Sequence, residues 1–173
     1  AGMITDALAK EAFSTVYALL PASYGGDTAV RQKIHTAATM AGMAFNGAGL
    51  GLCHAMAHAL GGAFHLPHGR LNAILLPSVI SCNAHVAGEK YQKIAAAAGV
   101  GGSAQTMAVR NLKNALVKLR KELNLPANLA QAGVLPHAVW GDREKIVKAV
   151  LEDPCCQTNP VPVTAEMVLT VLS

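Results

Sequence analysis

The stretch AGMAFNGAGLGLCHAMAHALGGAFHLPHGRLNAILLP, residues 41–77, holds four histidines within fifteen residues: His54, His58, His65 and His68. Between Lys33 and Glu89 the only formally charged residue is Arg70. Imidazoles gathered in the least polar part of a chain are costly unless each finds a partner. The arrangement predicts a buried site, one that binds a metal. The same stretch sets the local fold. Leu50 to Leu60 reads as a charge-free helix, stopped by Gly61-Gly62. Pro67 suits the first position of the next helix, which passes Pro77 only with a kink.

Helix punctuation continues outward on both sides. Thr5 or Asp6 can cap a helix that Pro21 stops, and Asp27 can cap a second that ends at Asn46-Gly47. Glu89 to Ala98 reads as a short helix closed by Gly99. From Ser103 or Gln105, the residues Met107, Ala108, Leu112, Ala115, Leu116, Leu119 and Leu123 recur at three- and four-residue steps, giving an amphipathic helix that Pro126 ends. Asp142 to Leu151 and Thr164 to Leu172 are the last two helices, with Thr164 as N-cap. Strand signals are confined to a short Val161–Val163 stretch beside prolines. The expected fold is a compact all-α domain of seven or eight helices over residues 1–173, its charge-free helices central and its charged ones, from Glu89 to Asp153, a rind.

Composition bounds the function. The chain has 173 residues, 52% hydrophobic, 14% charged and 4% aromatic. Soluble domains average about 25% charged residues, so part of this surface is expected to be covered by another domain or subunit, and exposed apolar helix faces predict self-association into a homo-oligomer. The net charge of +4 is scattered. The densest basic group, Lys113, Lys118, Arg120 and Lys121, alternates with leucines and reads as a solvated helix face, so nucleic acid is not an expected partner. Asn46, Asn72, the glycines and the histidines interrupt the apolar stretch, so no 18-residue apolar run is expected to span a membrane. Cys53, Cys82, Cys155 and Cys156 have no zinc-knuckle spacing and are expected to be reduced thiols of a cytoplasmic protein. Asp6, Lys10 and Glu11 argue against a signal peptide.

His54 and His58 are four residues apart, so on a helix both rings can face one cavity. The hydrolytic zinc version of this spacing needs a glutamate after the first histidine. Ala55 stands there, which removes the general base of a zinc protease. His68 falls in the first turn of its helix, where backbone amides disfavour imidazolium and favour the neutral ring that a metal needs. His65 lies in the connecting loop with no assigned role. His35, His85 and His137 are isolated and read as ordinary histidines.

The stretch 41–77 closely resembles the signature of the iron-containing (group III) alcohol dehydrogenases, and the resemblance extends over essentially the whole chain. Thr5-Asp6-Ala7-Leu8-Ala9 is similar to the family's helix after its first metal-ligand helix. Asp153-Pro154-Cys155-Cys156-Gln157-Thr158-Asn159-Pro160 resembles its closing segment, and also resembles dehydrogenases of ethanolamine or propanediol utilisation, which implies an association with bacterial microcompartments. The resemblance implies a two-domain, dehydroquinate synthase-like fold of which this chain is the helical C-terminal half. It implies Fe(II) or Zn held by one aspartate and three histidines, two of them at His54 and His68. It places His58 beside the nicotinamide and substrate, as a catalytic and cofactor-binding residue, and it puts Phe45 and Cys155 along the substrate pocket.

The family's Asp-x-x-x-His motif and its Gly-Gly-Gly-Ser phosphate loop do not occur in these residues. The expectation is therefore a missing N-terminal nucleotide-binding domain as partner, with neither the metal nor NAD(P) bound tightly by this chain alone. The implied reaction interconverts a small primary alcohol and its aldehyde with NAD(P), and this chain by itself is predicted to be inactive. Two other readings compete: a glycerol dehydrogenase- or dehydroquinate synthase-like relative, and a non-catalytic helical interaction module. The Pro-His-Gly motif disfavours the first, and persistence of His54, His58 and His68 disfavours the second.

Overall fold

Alanine and glycine, which let helix axes approach closely, shape the first half of the chain. The computed structural model describes all 173 residues, Ala1–Ser173. It contains eight α-helices and one 3-10 turn, with no strand: α1 (Met3–Tyr24), α2 (Arg31–Ala48), α3 (Leu52–Phe64), α4 (His68–Ala97), α5 (Gln105–Glu122), α6 (Pro136–Gly141), α7 (Arg143–Glu152), the 3-10 turn Pro154–Thr158, and α8 (Ala165–Leu172). The chain divides into two compact units, residues 1–49 with 87–123 and residues 50–86 with 124–173.

The first unit contains α1, α2, the C-terminal part of α4, and α5. Its core is built on small side chains: Ala12, Ala37, Ala44, Ala95, Ala108 and Ala115 are buried, with Val109, Leu112 and Leu123. Helices so faced pack at short range, and a Cβ added at Gly47 of α2 would stand 3.0 Å from Thr5 Cγ2 of α1. The amphipathic face predicted for α5 is buried at Ala108, Leu112, Ala115 and Leu123, whereas Met107 is 40% exposed. An ion pair from Lys90 Nζ to Asp6 Oδ1 at 3.0 Å ties α4 to α1.

The second unit contains α3, the N-terminal part of α4, α6, α7, the 3-10 turn and α8. Leu52, Met56 and Leu60 recur at four-residue steps along α3 and are fully buried, as are Leu71, Val150 and Val168. Burial of each such side chain contributes roughly 1.5–3 kcal/mol. Ile146 and Val150 show that the charged helix α7 also buries an apolar face, so it is more than the rind that its composition suggests.

Several expected breaks are absent. Pro21 does not stop α1, which runs three residues further until Gly25 N–H returns to Pro21 O at 2.9 Å. Asp27 caps only a turn, its Oδ1 accepting from Ala29 N–H at 2.9 Å, and α2 begins at Arg31. Gly61 and Gly62 lie inside α3, which ends instead at His65 in the left-handed conformation, φ 54°. Glycine costs about 1 kcal/mol in a helix interior, and the packing of Leu60 and Phe64 on either side outweighs that cost. The two helices expected on either side of Pro77 and Glu89 are one, α4, closed by Gly99 at φ 72°. By length and composition α4 is apolar enough to cross a membrane, although Asn72, Asn83 and His85 interrupt its apolar run as expected. Leu71, Leu75, Val79, Ile80 and Asn83 of this helix are buried within the protein.

Candidate metal centre

His54 and His58 sit one helical turn apart on α3, and His68 opens α4 after the turn 65–67. The reversal needs a left-handed residue, and His65 supplies it; its N–H bonds Gly61 O at 2.9 Å. Pro67 then launches α4, its carbonyl accepting from Arg70 N–H at 3.0 Å.

This hairpin brings three rings together. The centroids of His54 and His68 are 5.2 Å apart, those of His58 and His68 5.1 Å, and those of His54 and His58 6.4 Å. His54 is half-buried, whereas His58 and His68 are exposed. Burial lowers the pKa of His54, and the neighbouring His68 and His58 lower it further against the opposing pull of Asp153. The neutral ring that results is the form that ligates a metal. His68 Nε2 accepts a hydrogen bond from Asn72 Nδ2 at 2.8 Å, so its lone pair is engaged by that amide, while Asn72 Oδ1 is buried without a partner. Two imidazoles at this separation, beside an amide with an unsatisfied oxygen, fit part of the coordination shell of a divalent ion such as Fe(II) or Zn.

His58 differs from its helix neighbour. Its Nδ1 stands 2.8 Å from Asp153 Oδ2. Asp153 Oδ1 accepts from Cys155 N–H at 2.8 Å, which opens the 3-10 turn. Burial pushes the Asp153 carboxyl up, but the Cys155 N–H and the His58 ring outweigh it and hold the group below the ordinary carboxylate range. Burial, and then the adjoining Asp153, raise the Cys155 thiol to about 11. His58, Asp153 and Cys155 present one donor atom each within 4.8 Å of one another.

A clamp positions the 3-10 turn. Asn159 Oδ1 accepts from Leu52 N–H at 3.1 Å, at the first turn of α3, and Thr158 Oγ1 donates to Leu50 O at 2.6 Å. Glycine is required at position 51, where a Cβ would lie 2.8 Å from Asn159 Oδ1.

Of the residues singled out from the sequence, His54, His58 and His68 therefore come together, and Cys155 lies close to His58. His65 is an exposed helix-ending residue. Phe45 is on α2 in the first unit and is 47% exposed. His35, His85 and His137 are exposed, apart from the cluster. A groove of about 670 Å³ in the second unit, lined by Leu75, Leu129, His137 and Trp140, contains none of the three clustered histidines. Sequence reasoning gave Asp153 and Asn72 no role. Asn72 stands four residues beyond His68, a spacing that could have revealed it; Asp153 is 95 positions from His58 and left no such signal.

Residues 1–173 match the Fe-containing alcohol dehydrogenase family, C-terminal. The 1-propanol dehydrogenase PduQ of Salmonella typhimurium is 42% identical over 174 residues, covering 97% of this chain and 47% of that protein. The NADPH-dependent butanol dehydrogenase of Clostridium saccharobutylicum is 38% identical over 156 residues, covering 90% of this chain and 40% of that protein. A crystal structure of 1,3-propanediol oxidoreductase superposes with a TM-score of 0.91 at 31% identity, over 99% of this chain and 45% of that one. The chain thus spans less than half the length of these relatives.

Proposed function

The chain belongs to the iron-containing alcohol dehydrogenase family, and on that premise we propose that it is the helical, metal-holding half of an enzyme interconverting a primary alcohol and its aldehyde with NAD(P). The observation that carries the reading is the approach of His54 and His68 to 5.2 Å between ring centroids. In this reading His54 and His68 hold Fe(II) or Zn, and a nucleotide-binding domain N-terminal to this chain completes the ligand set and binds the dinucleotide. When bound, the ion supplies Lewis-acid charge that eases loss of the alcohol proton, and the nicotinamide supplies the hydride chemistry. The protein's own contributions are three. Burial lowers the pKa of His54 and so favours its neutral form. His58 stands at the exposed edge of the cluster, where it can contact nicotinamide and substrate. Cys155, beside His58, is placed along the substrate pocket by the resemblance. The names of the relatives, a 1-propanol and a butanol dehydrogenase, favour short primary alcohols as substrates.

The test is metal content and NAD(P)-linked 1-propanol oxidation of the intact protein and its His54→Ala, His68→Ala and doubly substituted forms. Each single variant is expected to lose most of its bound metal and its turnover, and the 173-residue chain alone is expected to show none. A double variant that keeps one equivalent of metal would overturn the assignment.

A further inference from the structure

We propose that Asp153 is a positioning residue that fixes His58 as the tautomer protonated at Nδ1 and turns Nε2, as a hydrogen-bond acceptor, toward the bound alcohol and nicotinamide; this rests on the role given to His58 above. In sequence, His54 and His58 are an equivalent pair one turn apart. Asp153 makes them unequal.

The argument begins with what a carboxylate can do. An ionised carboxylate only accepts hydrogen bonds, so the imidazole nitrogen that faces it must carry the proton. Asp153 Oδ2 faces Nδ1 at 2.8 Å. In the neutral ring the lone pair is then confined to Nε2, as when a carboxylate orients a catalytic or metal-bound histidine. Nδ1 is thereby withdrawn as a metal donor, which separates His58 from His54 and His68 without any difference in spacing.

The carboxylate can impose this only if it is itself fixed, and every part of Asp153 is held. Its backbone N–H bonds Val150 O at 3.2 Å, at the end of α7. Its Oδ1 takes the Cys155 N–H at 2.8 Å. Its side chain is 14% exposed against 47% for His58, so the carboxylate is the anchored member and the ring the one presented outward. The 3-10 turn that follows is pinned by Thr158 on Leu50 O and Asn159 on Leu52 N–H. Each of its two oxygens thus faces one partner, Cys155 N–H at 2.8 Å and His58 Nδ1 at 2.8 Å.

The experiment uses the intact enzyme, loaded with Zn for spectroscopy and with Fe(II) or Zn for kinetics. Long-range 15N–1H correlation of 15N-histidine-labelled protein reads the tautomer of His58, assigned with His58→Gln. The wild type is expected to show the proton on Nδ1, and Asp153→Asn, whose amide can donate, to shift it toward Nε2. Asp153→Asn should lower kcat for 1-propanol oxidation by about 10- to 100-fold, in the range seen when a residue that orients a functional histidine is removed. Metal content and the KM for dinucleotide should stay within about twofold of wild type. Asp153→Asn should add no further loss to His58→Gln, because both changes disable one device. A proton on Nε2 in the wild type, a wild-type kcat in Asp153→Asn where His58→Gln is slow, or a further loss in the double variant would each overturn the proposal. If His58→Gln turns over like wild type, the role of His58 in the reaction fails, and the tautomer measurement alone decides the part played by Asp153.

Discussion

Asn83 and Asn159 exchange a matched pair of amide hydrogen bonds: Asn83 Nδ2 donates to Asn159 Oδ1 at 3.0 Å, and Asn159 Nδ2 donates to Asn83 Oδ1 at 2.9 Å. Asn83 is 3% exposed, and Asn159 adds bonds from Leu52 N–H and to Val161 O at 2.7 Å. Asn159→Ala strands the buried Asn83 amide and two backbone groups. A loss of about 2–4 kcal/mol is expected from leaving such groups unpaired, read as a lowered urea midpoint. A loss under about 1 kcal/mol would show that the clamp does not hold the turn.

Two glycines test how far a crowded neighbour can yield. An alanine Cβ at position 51 would meet Asn159, whose amide is fixed by the bonds just described. The same change at Gly88 would meet the end of the Gln105 side chain, which is free to swing aside. Gly51→Ala is therefore expected to destabilise by about 1–3 kcal/mol, as overpacking does, and Gly88→Ala by under about 1 kcal/mol, since alanine also favours the helix. Equal shifts in melting temperature for the two variants would contradict this account.

Cys155 borders the histidine cluster, yet it should be a sluggish nucleophile. Burial and the adjoining Asp153 raise its thiol to about 11. The thiolate is the reactive form, so at pH 8 about one molecule in a thousand is ready to react, against about one in four for an unperturbed thiol. Iodoacetamide should modify Cys155 at least about tenfold more slowly than it modifies glutathione at pH 8, and the rate should climb as the pH rises toward 11. Cys53, buried and raised to about 12, should be slower still. Peptide mapping by mass spectrometry gives both rates, and rapid labelling of Cys155 at pH 7 would refute the assignment.

Thr164 caps α8 by accepting from Met167 N–H at 3.2 Å through Oγ1. Thr164→Ala should cost about 1 kcal/mol, and Thr164→Asp, which can accept the same bond, should recover most of it. Chemical denaturation measures both, and an unchanged Thr164→Ala midpoint would mean that the cap contributes nothing.

The helical class could be read directly from residues 41–77, because glycine and proline divide apolar runs whose lengths suit helices. The same residues misled on boundaries. Gly61-Gly62 and Pro77 are local penalties of about 1 and about 3 kcal/mol, and the packing of Leu60, Phe64, Leu75 and Val79 in one apolar cluster overrides them. At the site, clustering and resemblance both pointed to His54, His58 and His68, since all three lie on one short hairpin. Asp153 carried no comparable signal. Its relation to His58 exists only once the 3-10 turn is folded back against α3, and no periodicity in the chain encodes that closure.

The left-handed residue His65 has a kinetic implication. Because a reversal of only residues 65–67 joins the segments bearing His54 and His68, bringing those two nitrogens together costs little loop-closure entropy. On the proposed metal-holding reading, this hairpin is the part of the ligand set that can form early in folding, before distant segments have docked.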